Sequence, residues 1–383
     1  MGAAENLPHA IPQGAIQALL RTISLPEATS IISAKVTAQY HSIYFIALPP
    51  TTRTHNHSDL VLRVSGRHLP TIKTSNELGV MSWVARNTTI PIPDLVASDS
   101  SEKNPIGHEY TLMSRIKGAT LSDIYESLDD DQVDRLMDQL VGFLLQLHSH
   151  PWSGIGGLAL DDREEAVLAR VVDETFWQVP DIEKYWHGGE TTDSLNIAGP
   201  YATYVDFIAA QVRQYIHLIK IHDALEFMRD SLPRLEAFVD ALPNRADELN
   251  KVSLRLTHKD LHLANILYDV DSGSITAILD WEFSGVVPFT NWNPRRSFLW
   301  NGRDDERSLS EKQRLGDIFA RRCAALEVSL LDDASFASPL QEGMQMVADF
   351  LRAITEVSPR GQRQDLVLDW KTTVLDKIGL FGV

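Results

Sequence analysis

Apolar positions fall into two textures along the chain. In the first 115 residues they form short β-branched or aromatic runs between polar residues: 42–48 (SIYFIAL), 60–64 (LVLRV) and 110–113 (YTLM). That is the pattern of strands. The polar stretch 51–58 (TTRTHNHS) reads as a long hairpin loop joining the first two. A helix is predicted over 73–85, stopped by the prolines of Ile90-Pro91-Ile92-Pro93. From 120 onward the spacing turns helical. Val133, Leu136, Met137, Leu140, Leu144 and Leu147 recur three and four residues apart within 133–148. Further helices are predicted in 201–242, 311–330 and 341–355. The expected architecture is α+β: a small β-rich unit over 1–115, with a helical extension at 1–28, then a large, mainly α-helical unit over 116–383.

Inside the helical half the pattern predicts one strand pair, 266–270 and 275–279, joined by Asp271-Ser272-Gly273-Ser274. With Ser272-Gly273 as a two-residue turn, Ile266 pairs with Leu279 and Asn265 faces Asp280. Directly opposed residues have Cα atoms roughly 4.5–5.5 Å apart. An amide oxygen and a carboxylate would then share one hard cation, and Mg²⁺ prefers such ligands. Asp260, five residues before Asn265, supplies a third polar group nearby.

Composition narrows the class. Hydrophobic residues at 44% and charged residues at 23% are ordinary globular values and exclude wholesale disorder. The single cysteine, Cys323, allows no internal disulfide and sits in a helical apolar pattern unsuited to a nucleophile. No apolar run spans a bilayer and the first 27 residues lack a signal-peptide pattern, so a cytoplasmic protein without membrane partners is expected. The net charge of −17 argues against nucleic acid as a partner. The charge is uneven. Residues 1–115 carry nine Lys/Arg against eight Asp/Glu, whereas 116–200 carry five against seventeen. His258 and His262, four apart, would suit zinc on a helix, but they flank a loop and no zincin glutamate accompanies them.

His258-x-Asp260-x-x-x-x-Asn265 followed by Asp280-Trp281-Glu282 resembles the catalytic and metal loops of aminoglycoside phosphotransferases and choline-kinase-like small-molecule kinases, a fungal branch included. The resemblance implies a protein-kinase-like bilobal fold that binds ATP and Mg²⁺. It implies Asp260 as the base that orients or deprotonates a substrate hydroxyl, and Asn265 and Asp280 as Mg²⁺ ligands. Arg63 stands where the family has its phosphate-pairing lysine, and Glu77 fits the acid that anchors it. Residues 110–118 (YTLMSRIKG) resemble the hinge strand, with Met113, Ser114 and Ile116 against adenine. The catalytic loop would be 258–265, the metal loop 280–282, and 150–250 a substrate-side insertion. Four features depart from the family pattern: the stretch 34–48 has no glycine, so it would either sit farther from the phosphates or meet them with Thr37, Gln39, His41 and Ser42; Lys259 replaces a glycine; Arg63 replaces lysine; and no Asp-Pro follows Glu282.

A protein kinase would carry lysine two residues after Asp260, where this chain has His262, and an A-P-E segment after Asp280. The expected function is therefore ATP- and Mg-dependent phosphorylation of a hydroxyl on a small molecule, neutral to cationic and partly apolar. Phe176, Trp177, Tyr185, Trp186, Tyr201, Trp281 and Trp292 are candidates for its wall. The alternatives are a kinase fold kept as a ligand-binding module without transfer, or one recruited to non-phosphoryl chemistry in secondary metabolism.

Overall fold

The computed structural model describes residues 6–34, 39–50, 58–293 and 296–383. Most of the polar loop 51–58, with His55 and His57, and Thr37 of the glycine-free stretch lie outside the described residues.

Helix α1 (Gln13–Thr22) buries Ile16, Leu19 and Leu20. It lies against an antiparallel sheet formed by β1 (Ser30–Ser33), β2 (His41–Ala47), β3 (Asp59–Ser65), β4 (Leu95–Asp99) and β5 (Tyr110–Ser114), in the order β1-β2-β3-β5-β4. Alternation along β3 decides which face does what. Leu60, Leu62 and Val64 join the core beneath α1, so Val61 and Arg63 point to the opposite, cleft side.

Helix α2 (Ile72–Asn87) crosses that cleft side, and one glycine sets how closely. A Cβ on Gly79 would lie 2.6 Å from the Leu158 carbonyl carbon. Only glycine allows α2 to rest on that backbone. Asn76, one turn earlier, completes the seat. Its amide donates to the carbonyls of Glu282 and Ser284, both at 2.9 Å, and its oxygen accepts from Leu158 N–H at 2.8 Å.

Beyond the sheet the chain is mainly helical, with short ladders set in it. These are β6 (Ala119–Thr120), β7 (Gly157–Leu160), β8 (Ala166–Ala169), β9 (Leu254–Thr257), β10 (Ile266–Asp269), β11 (Ser274–Ile278) and β12 (Gly285–Pro288). The expectation of a single strand pair here is corrected. β7 pairs with β8, β12 with β9, and β10 with both β11 and β6. The missed strands are two to four residues long, too short for a period-2 pattern to stand out. The expected helices are present as Asp130–His148, Tyr204–Ile221, Leu232–Ala241, Glu306–Ala325 and Pro339–Val357. The first opens with a capping box between Asp129 and Gln132 and faces Leu136, Met137, Leu140 and Val141 into the main core.

The expected hairpin register is also corrected. Asp269 pairs with Ser274, leaving a four-residue turn, and a bulge follows Leu267, so Ile266 faces Ile278 instead of Leu279. Asn265 meets the backbone of Leu279, whose N–H donates to its carbonyl at 2.8 Å. Asp280 lies past the ladder, in the left-handed region at φ 67°. The tight turn failed because Asp269 holds its own loop, its carboxylate accepting from Asp271 N–H and Ser272 Oγ.

Candidate functional site

A cleft of about 690 Å³ opens between the sheet and the β10–β11 hairpin. It gathers Arg63 from β3, Glu77 from α2, Met113 and Ser114 from the end of β5, Ile116 two residues past it, Asp260 and Asn265 from the loop before β10, and Asp280 from the residue after Leu279. The residues assigned to base, metal and nucleotide in the sequence all border this one space.

Its charged floor is more tightly knit than the sequence indicated. Arg63 pairs with Glu77 and also reaches Asp280, Nη2 to Oδ1 at 2.7 Å. Burial works against the Arg63 charge, but Glu77, Asp280 and Glu282 outweigh it and hold the guanidinium ionised. Burial likewise pushes the Asp280 carboxyl upward, and Arg63, His258 and Lys73 bring it below the ordinary carboxylate range. Beside this pair lies a second that sequence reasoning missed. Lys73, 1% exposed, donates to Glu282, 2% exposed, at 2.5 Å. Burial pushes Glu282 up to about 7 despite Lys73. The available signals were Lys73 one helical turn before Glu77 and Glu282 two residues after Asp280.

The loop carrying Asp260 is held by its backbone. His258 stacks edge-on against Trp281, with centroids 4.6 Å apart. Burial lowers its pKa, so the neutral ring donates from Nε2 to the Leu279 carbonyl (2.8 Å) and accepts Asp260 N–H at Nδ1 (3.3 Å). Asn265 Nδ2 donates to the Asp260 carbonyl at 2.9 Å. The amide oxygen of Asn265 and the Asp280 carboxylate, one oxygen of which accepts from Arg63, are hard oxygen donors bordering one cleft, a set that fits Mg²⁺ completed by water and phosphate.

At the β5 end, the N–H of Ser114 is engaged by Asp94 and that of Arg115 by Asp59, both at 2.9 Å. Of the glycine-free stretch, Gln39, Tyr40, His41, Ile43 and Phe45 border the cleft. Ser42 does not meet it, and donates instead to the Pro8 carbonyl. His41 is wedged between Arg63 and Lys73. Burial and those two cations hold its pKa well below 6.5.

A second cavity, about 250 Å³, adjoins the first and shares Glu174, Asp260 and Phe283 with it. Phe176 and Trp177 border it, as do Phe207, Gln211 and Tyr215 of the helix Tyr204–Ile221, and Asp349, Arg352 and Glu356 of the helix Pro339–Val357. The last three were missed, although they recur on one face of an amphipathic helix. Of the other aromatic candidates, Trp186 and Trp281 are core, and Trp292 stacks on Phe289. Most of the acidic stretch faces away: Asp134 and Asp138 pair with Arg322, while Asp173 and Glu174 border the cavity.

His68, beside Tyr40, gives the site a pH signature. Burial, followed by the charge of Lys73, lowers its pKa from 6.5 to about 4. The native state therefore binds this proton less readily than the unfolded chain does. The stabilisation is full above pH 6.5 and is lost as pH falls toward 4, an effect of at most about 3 kcal/mol. Melting temperatures measured from pH 7 to 4 should decline less steeply in His68→Phe than in the parent protein. Parallel curves would show that His68 does not carry the effect.

This fold belongs to a known family. Residues 51–291, more than half the chain, match the phosphotransferase enzyme family (APH), and the chain is a member of it. The solved streptomycin–ATP ternary complex of APH(2″)-IIa aligns with 96% of this chain and 97% of that one, at 13% identity and a TM-score of 0.52. That likeness shows the fold, the α+β architecture of aminoglycoside phosphotransferases and protein kinases. Among curated proteins, a subtelomeric hrmA-associated cluster protein of Aspergillus fumigatus is 21% identical over 257 residues, 56% of this chain and 50% of its own length. Clavilactone A biosynthesis cluster protein Y of Ampulloclitocybe clavipes is 23% identical over 230 residues, 57% and 51%. The chain spans about half the length of these relatives. Among the described residues no helix is long and apolar enough to cross a membrane.

Proposed function

We propose that the protein transfers the γ-phosphoryl group of Mg·ATP to a hydroxyl of a small molecule seated in the 250 Å³ cavity. The observation that carries this reading is the position of Asp260, which borders both the cleft and the cavity. A nucleotide in the first space and an alcohol in the second would meet at its carboxylate.

Asp260 takes the hydroxyl proton as the acceptor oxygen bonds to phosphorus and the bond to ADP breaks. Asn265 Oδ1 and Asp280 would hold Mg²⁺, and the ion would supply neutralisation of phosphate charge there. Arg63, anchored by Glu77, meets the α- and β-phosphates. Met113 and Ile116 cover adenine, and since the Ser114 and Arg115 N–H groups are engaged, its edge is read at Ile116. Positioning and charge neutralisation supply most of the rate. The division into a nucleotide lobe over 1–115 and an acceptor lobe over 116–383 follows from this reading.

The cavity favours a small, neutral or cationic acceptor with apolar surface. Asp173, Glu174, Asp260, Asp349 and Glu356 outnumber Lys259 and Arg352 around it, beside Phe176, Trp177 and Tyr215. ADP formation measured across cationic, neutral and anionic alcohols at low and moderate salt tests this directly. Cationic or neutral alcohols should lead, and the cationic advantage should shrink with salt. A clear preference for anionic alcohols would overturn the acceptor assignment.

The Arg63–Asp280 contact favours one second reading, a nucleotide-binding protein without transfer, because it engages the carboxylate a metal needs. That reading expects nucleotide affinity indifferent to Mg²⁺ and no alcohol-dependent ADP.

A further inference from the structure

Lys259 occupies a backbone position made for glycine. Its φ is 63°, in the left-handed region that L side chains rarely adopt. A lysine held there needs a compensating contact. Its Nζ donates to the Val172 carbonyl at 2.9 Å and to the Asp173 carboxylate at 3.0 Å, with the side chain 8% exposed. Asp173 is fixed from its other oxygen, which accepts from Thr175 N–H at 2.9 Å and Thr175 Oγ1 at 2.6 Å. Burial works upward on Asp173, but Lys259 and Thr175 keep it ionised far below the usual range. The Lys259 carbonyl accepts from Ser297 Oγ at 3.2 Å.

What this bridge joins matters more than its strength. Lys259 immediately precedes Asp260, and Asp173 immediately precedes Glu174. Asp260 and Glu174 each border both the cleft and the cavity. Glu174 also accepts from Tyr40 Oη at 3.3 Å, which extends the connection to the N-terminal sheet.

We propose that Lys259 is a positioning residue: its bridge to Val172 and Asp173 sets the Asp260 carboxylate at a fixed distance from the acceptor wall 171–178. The proposal rests on the phosphotransfer reading of Asp260. An in-line transfer tolerates little slack, and a displacement near 1 Å can cost about 10²-fold in rate. Lysine is therefore kept where glycine would be conformationally easier.

Two substitutions separate the backbone from the ammonium. Lys259→Met keeps the strained conformation and an apolar stem but removes the charge. Lys259→Gly relieves the strain and removes the stem. Both lose the bridge, so both should raise amide hydrogen exchange in 172–178 about tenfold or more. Lys259→Gly should melt at or above Lys259→Met, since only the methionine retains the strain. Both should lower kcat for ATP consumption about tenfold, with the KM for ATP within twofold of the parent's. Lys259→Arg, which can still reach Val172 and Asp173, should recover most of kcat. Parent-like exchange in Lys259→Gly overturns the bridge, and parent-like kcat despite faster exchange overturns the positioning role. A parent protein that binds Mg·ATP yet turns none over refutes the phosphotransfer reading and the positioning role with it, while the exchange data still decide whether the bridge exists.

Discussion

Turnover of an Asp260→Asn variant is expected to fall by about 10²-fold or more, with Mg·ATP affinity within a few-fold of the parent's. The magnitude is that of lost general-base help. The geometry makes this a clean test. The contacts that shape the loop run through the Asp260 backbone: its N–H to His258 Nδ1, and its carbonyl to Asn265 Nδ2 and the His262 N–H. The carboxylate itself is 37% exposed, with His262 Nε2 at 3.5 Å. Asparagine keeps the shape and removes only the proton acceptor. Steady-state ADP formation and nucleotide titration by calorimetry read the two quantities separately. Survival of turnover within a few-fold would make Asp260 a structural residue.

The second large effect concerns Asp280. An Asp280→Asn variant should lose most of the Mg²⁺-dependent part of the melting-temperature rise produced by a non-hydrolysable ATP analogue, and should still fold. At a hundredfold excess over Kd a ligand adds about 2.7 kcal/mol of stability, which corresponds to several degrees. Asparagine suits the left-handed backbone at 280, where alanine would add strain. Arg63 keeps its pair with Glu77, so no cation is stranded in the cleft. Thermal scans with nucleotide, with and without Mg²⁺, measure the increment. An undiminished increment would place the metal elsewhere and remove Asp280 from the reading.

Much of this site was legible because its parts are local. Asp260, Asn265 and Asp280 fall within twenty-one residues, in a spacing that few other chemistries use. Arg63 and Glu77 lie on a strand and the helix after it, so their meeting needs only one short connection. The register that first linked Asn265 to Asp280 was nevertheless wrong. A bulge and a longer turn shift the hairpin, and Asp280 comes to the cleft through its own left-handed backbone. The two residues border one space for a reason different from strand pairing.

Periodicity, which acts within about ten residues, determined β2, β3 and β5 of the first sheet and the long helices within 120–357, but not β1 or β4; the loop bearing His258, Asp260 and Asn265 was legible through its motif. Periodicity carries no information about which distant segments meet. Packing decided that Lys73 is buried against Glu282, 209 positions away. It also set Gly79 against the Leu158 backbone. The helix Pro339–Val357, beyond the family match, brings Asp349, Arg352 and Glu356 to the second cavity. Burial then set the protonation of the charges the sequence could only count: Asp280 held ionised beside Arg63, His41 neutral between two cations, and Glu282 raised to about 7. An ion's solvation depends on everything within a few ångströms of it, and only the folded chain specifies those neighbours.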